Sequence, residues 1–214
     1  KREQTTFVMA LAGVGDELIV PSHHATAAKT ARPILTVHNL QVNDDRDLRA
    51  CHEISFEIVA GEILGVAGVD GNGQRELIEA ITGQRPALAG EITINGEDSV
   101  RWSPRQVIDH NIAVITDDRQ GEGLVLKFDL ARNAVLKLFA RPPFSGHHML
   151  HFGAIESFTD RIIHDYSISA PGVHVAAANL SGGNQQKLIL ARELSQSPVL
   201  IIANKPTRGL DIGA

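Results

Sequence analysis

The sequence has few of the features that mark secreted, membrane-spanning or nucleic-acid-binding proteins. It contains one cysteine, Cys51, which cannot form an internal disulfide and suits a reducing compartment. No apolar run approaches the ~20 residues that a helix needs to span a bilayer. The formal net charge is −5, from 20 basic and 25 acidic residues without a long basic run, so free nucleic acid is a poor candidate partner. If the protein works at a membrane, we expect other chains to hold it there.

The remaining composition is that of an ordinary globular domain. The chain has 214 residues, of which 43% are hydrophobic and 21% are charged, enough for one substantial domain with its own core. Residues 1–32 are predicted to be a tail and a linker, because the stretch 23–30 is small, polar and without period. We interpret the sequence, which begins at Lys1 and stops at Ala214, as a piece of a longer protein.

Hydrophobic periodicity predicts an alternation of strands and helices. Apolar runs predict strands at 34–37, 54–58, 62–67, 91–94, 112–115 and 198–203. Helices are predicted at 76–81 and 103–110, and a further helix follows the capping residue Asp129 and continues as far as the prolines at 142 and 143. Ile155, Phe158 and Ile162 fall on one face of another helix and are predicted to be core.

A glycine-rich turn at 68–73 follows the strand at 62–67 and leads into a helix, which is the arrangement of a phosphate-binding P-loop. Against the pattern G-x-x-x-x-G-K-[ST], Gln74 replaces the lysine that reaches the phosphates, and Arg75 replaces the residue that ligates Mg²⁺. The backbone could still hold a phosphate, because its N–H groups do not depend on side chains. A dinucleotide-binding turn is the weaker alternative, since its glycine spacing differs.

A second candidate for anion binding is the turn at 180–187, with the sequence LSGGNQQK. A Ser-Gly-Gly turn that opens a helix presents backbone N–H groups and the positive end of the helix dipole, which together bind a phosphate. Ser181 is the expected N-cap, and its hydroxyl can also donate to a phosphate oxygen. The alternative is an ordinary helix cap without a ligand.

The string LSGGNQQK resembles the signature motif of ATP-binding cassette (ABC) ATPases, and the sequence PTRGLD at 206–211 follows it in the order of that family. The resemblance implies an α/β fold, with a P-loop NTPase (RecA-like) core, a small antiparallel β-subdomain and a helical subdomain at about 128–180. It implies that residues 33–214 form a C-terminally truncated nucleotide-binding cassette. Residues 1–32 are then the tail of a preceding cassette and a linker.

The resemblance also implies that this cassette has lost the chemistry of its own nucleotide site. Asn204 and Lys205 stand where the family has the Asp that holds Mg²⁺ and the Glu that polarises the attacking water, so no catalytic residue remains and Mg²⁺ is doubtful there. Arg75 and Lys205 could converge on the phosphates in place of Mg²⁺, or the site could stay empty. The residues that would meet nucleotide in this site are Gly68, Gly71, Gly73, Gln74 and Arg75.

The signature, in contrast, is intact, and the resemblance implies that it serves the ATP held by a partner cassette. Its residues are Leu180, Ser181, Gly182, Gly183, Asn184 and Gln185. By position, Asp117 takes a role in coupling to membrane subunits, with solvated loop charges as the alternative, and Asp211 belongs to the D-loop that crosses to the other cassette. The histidines at 147, 148 and 151 have no cysteine or closely spaced carboxylate beside them and do not predict a metal site.

The function implied is that of the second, degenerate ATP-binding cassette of an ABC importer for sugars or nucleosides, most similar to the purine-nucleoside type. ATP is the implied cofactor, and the isolated domain is expected not to hydrolyse it. The implied partners are a first nucleotide-binding cassette, membrane permease subunits and, indirectly, a substrate-binding protein, with the chain peripheral at the cytoplasmic face of the membrane. Two alternatives remain, a non-catalytic scaffold or regulatory module, and a soluble ABC ATPase of DNA repair or translation.

Overall fold

The computed structural model of the chain describes residues 6–12, 32–69 and 71–206, the first of these as backbone alone. The chain divides into two compact units. The first contains the residues up to Val114 together with Ser197–Lys205, and the second contains Ile115–Gln196. The first unit therefore has a sheet strand, near residue 200, that is separated in sequence from the rest of the unit.

A four-stranded sheet in the order β4-β1-β10-β7 forms one layer of the first unit. Its strands are β1 (Thr6–Ala12), β4 (Ile63–Gly68), β7 (Ile112–Ile115) and β10 (Leu200–Asn204). β1 pairs in parallel with β4 on one side and with β10 on the other. Leu200, Ile201 and Ile202 are at most 1% exposed, as expected for an apolar run in a parallel sheet.

The strand β1 lies within the stretch that the sequence predicts to be a tail and linker. Its sequence, TFVMALA, is an apolar run, and such runs are typical of inner strands of parallel sheets. For these seven residues the structure differs from the expectation. The limits of the tail, the linker and the cassette stay predictions.

A second, antiparallel sheet in the order β3-β2-β5-β6 confirms the predicted small antiparallel subdomain. It contains β2 (Pro33–Asn43), β3 (Arg49–Val59), β5 (Ala89–Ile94) and β6 (Glu97–Asp98). Helices α1 (Gln74–Ile81) and α2 (Pro104–Asp109) complete the unit, and Ser103 begins α2 with a capping box to Gln106. One hydrophobic cluster joins these elements and includes Leu35, Ile58, Leu64, Leu77, Ile92, Val107 and Ile202.

Asn111 connects the two places where the chain leaves and rejoins the first unit. Its carbonyl accepts a hydrogen bond from Val199 N at 3.1 Å, and its Nδ2 donates to Ser197 O at 3.1 Å. The segment that leads into β10 is therefore attached beside the start of β7.

The second unit is mainly helical. Its elements are a π-helical turn (Arg119–Gly123), α3 (Leu130–Ala134), the hairpin strands β8 (Ser145–Gly146) and β9 (Met149–Leu150), α4 (Phe152–Asp165), a 3-10 turn (Ala177–Asn179) and α5 (Gly182–Leu194). Ile155, Phe158 and Ile162 are each at most 5% exposed, which confirms the predicted core face of α4. No helix in the described parts of the chain is long and apolar enough to cross a membrane.

Helix α3 is shorter than predicted. Asp129 caps it as expected, since its side chain accepts a hydrogen bond from Arg132 N at 2.9 Å. The helix ends at Ala134, however, and the chain continues in turns instead of reaching the prolines at 142 and 143. The buried Asn133 amide donates to the carbonyls of Val125, Phe128 and Asp129. It thereby competes with the backbone for helix hydrogen bonds and favours a short helix.

A buried charge cluster ties α5 to the segment that follows α3. The Glu193 carboxylate, whose side chain is 2% exposed, lies 2.7 Å from Lys137 Nζ and 3.0 Å from Arg192 Nε. Burial lowers the pKa of Lys137, and the charge and hydrogen bond of Glu193 oppose that shift. Because its carboxylate has two cationic partners, Glu193 is the centre of this cluster.

Candidate functional site

The glycine-rich turn lies between β4 and α1, where the sequence predicts a P-loop. Gly71 has φ +94° and Gly73 has φ +93°, both in the region that favours glycine. A Cβ at Gly73 would lie 2.5 Å from Ala50 O, so the turn also requires glycine there for space. Asp70 lies outside the described residues. The turn thus has the local form of a phosphate-binding loop, and its backbone depends on its glycines.

Gln74 occupies the position where the P-loop pattern has lysine. Its Nε2 donates to Val69 O at 3.0 Å, and Asn72 N donates to the same carbonyl at 3.2 Å. The side chain therefore joins the two ends of the turn. A neutral amide in this position supplies no charge to a phosphate.

Arg75, at the position of the Mg²⁺ ligand, is paired along its own helix. Its Nε lies 2.7 Å from Glu79 Oε1, while Glu79 Oε2 lies 2.6 Å from Arg85 Nε. Arg85 also donates to Asn43 O at 3.1 Å and to Asp45, and its side-chain hydrogen bond lowers the pKa of that carboxyl. Two guanidinium groups and two carboxylates therefore form a nearly neutral network beside the turn.

Cys51 lies directly behind the turn. Its Sγ is 3.5 Å from Gly73 O, and the residue is 1% exposed. Burial, together with the charge of Glu76, raises the pKa of the Cys51 thiol to about 12. This thiol is a packing group, because a reactive cysteine needs exposure and a lowered pKa.

The end of β10 lies at the same edge of the sheet as the turn. β1 pairs Ala12 with Gly68 of β4 and Ala10 with Asn204 of β10, and the three strands run in parallel. Asn204 and Lys205 are both partly buried, and Lys205 has φ +42°. The predicted D-loop residue Asp211 lies outside the described residues.

Four described residues at this edge do not supply the ligands that a Mg²⁺-bound nucleotide requires. Magnesium takes carboxylate, hydroxyl and phosphate oxygens. Gln74, Arg75, Asn204 and Lys205 supply two amides and two cations instead. The structure brings the four substituted positions to one unit, and no carboxylate or hydroxyl is among them.

The signature turn begins α5 in the second unit. Ser181 is the N-cap, with its Oγ accepting a hydrogen bond from Asn184 N at 3.4 Å, as the sequence predicts. Ser181 is exposed, Gly182 and Gly183 are partly exposed, and Leu180 is buried at 8% exposure. The buried leucine anchors the turn, and the first residues of a helix 13 residues long lie at the surface.

The side chains of Asn184 and Gln185 make different contacts. The Asn184 amide accepts from Ser169 N at 2.8 Å and donates to Ser181 Oγ at 3.0 Å. Gln185 is 2% exposed; its Nε2 donates to Ala177 O at 3.1 Å and its Oε1 accepts from Gln120 at 3.3 Å. The burial of Gln185 argues against a direct contact between its side chain and nucleotide.

Asp117 precedes the π-helical turn, which packs on α5. Asp118 begins that turn by accepting from Gly121 N at 2.8 Å. A Cβ at Gly123 would lie 2.6 Å from Ile189 Cδ1, so Gly123 allows the turn to approach α5 closely. The segment predicted to couple to membrane subunits therefore contacts the signature helix within the same unit. Sequence reasoning missed this connection, although Gly123 next to a charged run was a visible signal.

An apolar groove on the second unit was also not predicted. It has a volume of about 430 Å³. Phe139 and Phe152 in its lining are 48% and 61% exposed. Its other lining residues include Phe128, Arg132, Leu136, Leu150, Glu156 and His174. Exposed phenylalanines around one groove mark an interaction surface more often than a solvated face.

Comparison with known proteins decides the family. A family model described as ABC transporter matches residues 51–208. The chain belongs to the ABC transporter family. Its fold is accordingly that of an ABC cassette, a P-loop NTPase fold with an added antiparallel sheet.

Relatives of this ABC cassette include import proteins of bacteria. The chain is 42% identical over 188 residues to the guanosine import ATP-binding protein NupO of Bacillus subtilis, and 38% identical over 188 residues to the nucleoside import ATP-binding protein NupA of Lactococcus lactis. These matches cover 88% of the chain and 37% of each relative. The ribose import ATP-binding protein RbsA of Geobacillus kaustophilus is 39% identical over 75% of the chain and 32% of that protein. The chain thus spans about a third of the length of these relatives.

Solved structures agree with the fold. The cassette MJ0796, in a dimeric post-hydrolysis state bound to ADP and phosphate, matches with a TM-score of 0.67 at 19% identity, over 84% of this chain and 77% of that one. The cassette MJ1267 in its ADP conformation matches with a TM-score of 0.61 at 19% identity, over 85% of this chain and 72% of that one. At this level of identity the likeness concerns the fold alone.

Proposed function

We propose that this chain is the second ATP-binding cassette of an ABC importer for nucleosides or sugars. In this role it supplies its signature, residues 180–185, to ATP held by a first cassette, and it does not hydrolyse ATP at its own site. The names of NupO, NupA and RbsA, which are import ATP-binding proteins, support the substrate class. NupO, whose name gives guanosine, supports the purine-nucleoside type in particular.

The observation that carries the proposal is an asymmetry between two turns. The signature turn has its serine cap, its glycines and an exposed helix start. The P-loop turn keeps its glycines but has lost each side chain that would hold a metal or a phosphate. A domain built in this way can complete a neighbour's ATP site without working as an ATPase itself.

The network around Arg75 favours an empty own site. Arg75 donates to Glu79 through its Nε at 2.7 Å, so a phosphate that approached the rest of the guanidinium would also approach the Glu79 carboxylate. Like charges at short range repel. The residues of the turn therefore support nucleotide binding in their own site less well than an unliganded role.

The apolar groove supports docking to a permease. Its phenylalanines offer the anchors that a short amphipathic helix needs, and Arg132 and Glu156 at its margin offer both signs of charge. We assign this surface to a cytoplasmic helix of the permease subunits, with the substrate-binding protein as an indirect partner. The chain would then lie peripherally at the cytoplasmic face of the membrane.

The decisive experiment substitutes the signature in the complete transporter. Ser181→Arg and Gly183→Asp place bulk and charge at the exposed helix start, and each should abolish ATPase activity and substrate uptake. Gln74→Ala and Lys205→Ala serve as controls at the degenerate site and should leave both activities within about two-fold of wild type. Unchanged ATPase and uptake in the signature variants would contradict the proposal and favour a scaffold or regulatory module.

A second measurement tests directly whether nucleotide binds to the P-loop turn of this chain. The chain is titrated with a fluorescent ATP analogue, alone and with the first cassette, in the presence and absence of Mg²⁺. We expect binding only when both cassettes and Mg²⁺ are present. Binding by this chain alone would contradict the empty-site part of the proposal while leaving the role of the signature intact.

A further inference from the structure

The orientation of the Asn184 amide is fixed by a backbone donor. Ser169 N lies 2.8 Å from one terminal atom of this side chain. An N–H group can only donate, so that atom is the oxygen, Oδ1. The other terminal atom is therefore Nδ2, which donates to Ser181 Oγ at 3.0 Å. The direction of the hydrogen bond between Asn184 and Ser181 follows from the position of Ser169.

The Ser181 hydroxyl consequently has its acceptor side occupied. Its oxygen accepts from Asn184 Nδ2 and, at 3.4 Å, from Asn184 N. A hydroxyl has two acceptor lone pairs and a single donor hydrogen. Both lone pairs are directed toward Asn184, so the hydrogen must point elsewhere. Among the residues that the structure describes, the Ser181 hydroxyl makes no other hydrogen bond, and the residue is exposed. The hydroxyl is thus held as a donor directed away from its own helix.

We propose that Asn184 is a positioning residue that sets the polarity of the Ser181 hydroxyl, so that the serine donates its hydrogen to a phosphate oxygen of the partner's ATP. This inference rests on the proposed role of the signature. The inference gives Asn184 a role in the signature that does not require contact with nucleotide. It also explains why an amide stands at this position. A carboxylate would accept the serine hydrogen instead of donating to the serine oxygen, and would turn the donor away from the phosphate.

Asn184→Asp tests this polarity with little change of shape. The aspartate keeps an oxygen for Ser169 N, so the attachment of the Ser169 loop is retained. It occupies the third position of α5, where a carboxylate is compatible with the N-terminal end of the helix dipole. The thermal midpoint should therefore stay at or above that of the wild type. Asn184→Ala removes the attachment as well and should lower the midpoint.

The activity assay is a double-mutant cycle in the complete transporter, with the ATP dependence of hydrolysis as readout. Ser181→Ala and Asn184→Asp should each lower kcat/KM for ATP about ten-fold, which is the loss of about one charge-assisted hydrogen bond. The double variant should be no more than about two-fold worse than Ser181→Ala, because Asn184 acts through the hydroxyl that is already absent.

The outcomes separate the two proposals. If Ser181→Arg leaves hydrolysis at the wild-type level, the proposed role of the signature fails, and this inference fails with it. If Ser181→Arg impairs hydrolysis but Ser181→Ala or Asn184→Asp does not, only the inference is overturned. Effects that multiply in the double variant also overturn it, since charge repulsion or general disruption by the aspartate would persist without the serine hydroxyl.

Discussion

Arg75 Nε lies 2.7 Å from Glu79 Oε1, one turn further along α1. The guanidinium that stands at the Ser/Thr position of the P-loop pattern is thus paired with a carboxylate of its own helix. Glu79 in turn is shared with Arg85, whose side chain is 16% exposed against 63% for Arg75. The two arginines therefore make similar hydrogen bonds in very different surroundings.

This contrast gives a first prediction, for the free energy of unfolding. Arg75→Ala removes an exposed helix pair and should cost at most about 0.5 kcal/mol. Arg85→Ala removes a mostly buried guanidinium that donates to Asp45, to the Asn43 carbonyl and to one oxygen of Glu79, and should cost about 2 kcal/mol. Urea denaturation of both variants measures the difference. Equal costs would show that Arg85 is no more important to the fold than Arg75.

A second prediction concerns the two glycines of the P-loop turn. Both have φ near +90°, but a Cβ at Gly73 would meet Ala50 O at 2.5 Å, whereas nothing lies within 4 Å of one at Gly71. Gly71→Ala should cost about 1 kcal/mol, for the backbone alone. Gly73→Ala should cost at least ~2 kcal/mol more, because a backbone atom must move. The denaturant midpoints of the two variants measure the difference. A Gly73→Ala variant as stable as Gly71→Ala would contradict the close packing of Gly73 against Ala50 O.

A third prediction concerns Cys51 and pH. Burial raises the pKa of this thiol from its ordinary value of 9.0 to about 12 in the folded chain. Above pH 9.0 the unfolded chain loses the thiol proton first, so stability that is fully present below pH 9.0 should be lost as pH rises toward about 12. The loss should approach ~1.4 kcal/mol per pH unit within this window.

The control for this prediction is the Cys51→Ala variant. Its stability should lack the loss with rising pH that the thiol causes, and should keep the loss that other titrating groups cause. A disulfide reagent at pH 8 gives an independent measurement. The thiol should react slowly in buffer and rapidly in denaturing urea. Rapid reaction of the folded chain would mean that Cys51 is accessible.

A fourth prediction concerns the buried charge cluster of the second unit. Glu193→Ala leaves Lys137 and the 5%-exposed Arg192 without their carboxylate and should cost about 3–5 kcal/mol. Lys137→Met keeps the Arg192 pair and much of the apolar stem, and should cost about 1–2 kcal/mol. Thermal unfolding of the two variants measures the order. A larger effect of Lys137→Met would contradict the central place of Glu193.

Local motifs predicted the elements of this structure better than its side-chain contacts. The caps at Asp129 and Ser181 were readable because a cap joins residues three apart in sequence. The contacts of Gln185 with Gln120 and of Asn184 with Ser169 join residues 65 and 15 apart. Such contacts depend on tertiary packing, which periodicity does not contain.

The dependence on tertiary packing also explains which features of the P-loop turn, the groove and strand β1 the sequence did not predict. The P-loop pattern predicted that Gln74 and Arg75 are substitutions, and this stays a prediction, whereas the pairing of Arg75 with Glu79 needed the structure. The groove was missed because exposed phenylalanines such as Phe139 and Phe152 look like core residues in a sequence. Strand β1 was missed because its partners are non-local, with Thr6 opposite Leu200.

The hydrogen bonds of Asn111 to Ser197 and Val199 attach β10 beside β7, although β10 comes late in the sequence. This position of β10 has a consequence for the order of folding. Strand β10 is synthesised after the whole second unit, so the four-stranded sheet stays incomplete until that unit has left the ribosome. Closing the sheet then requires a contact between distant parts of the chain, which is slow for entropic reasons. During synthesis the second unit can collapse on its own local helices, while β1 and β7 each keep an unpaired edge until β10 is made and pairs between them.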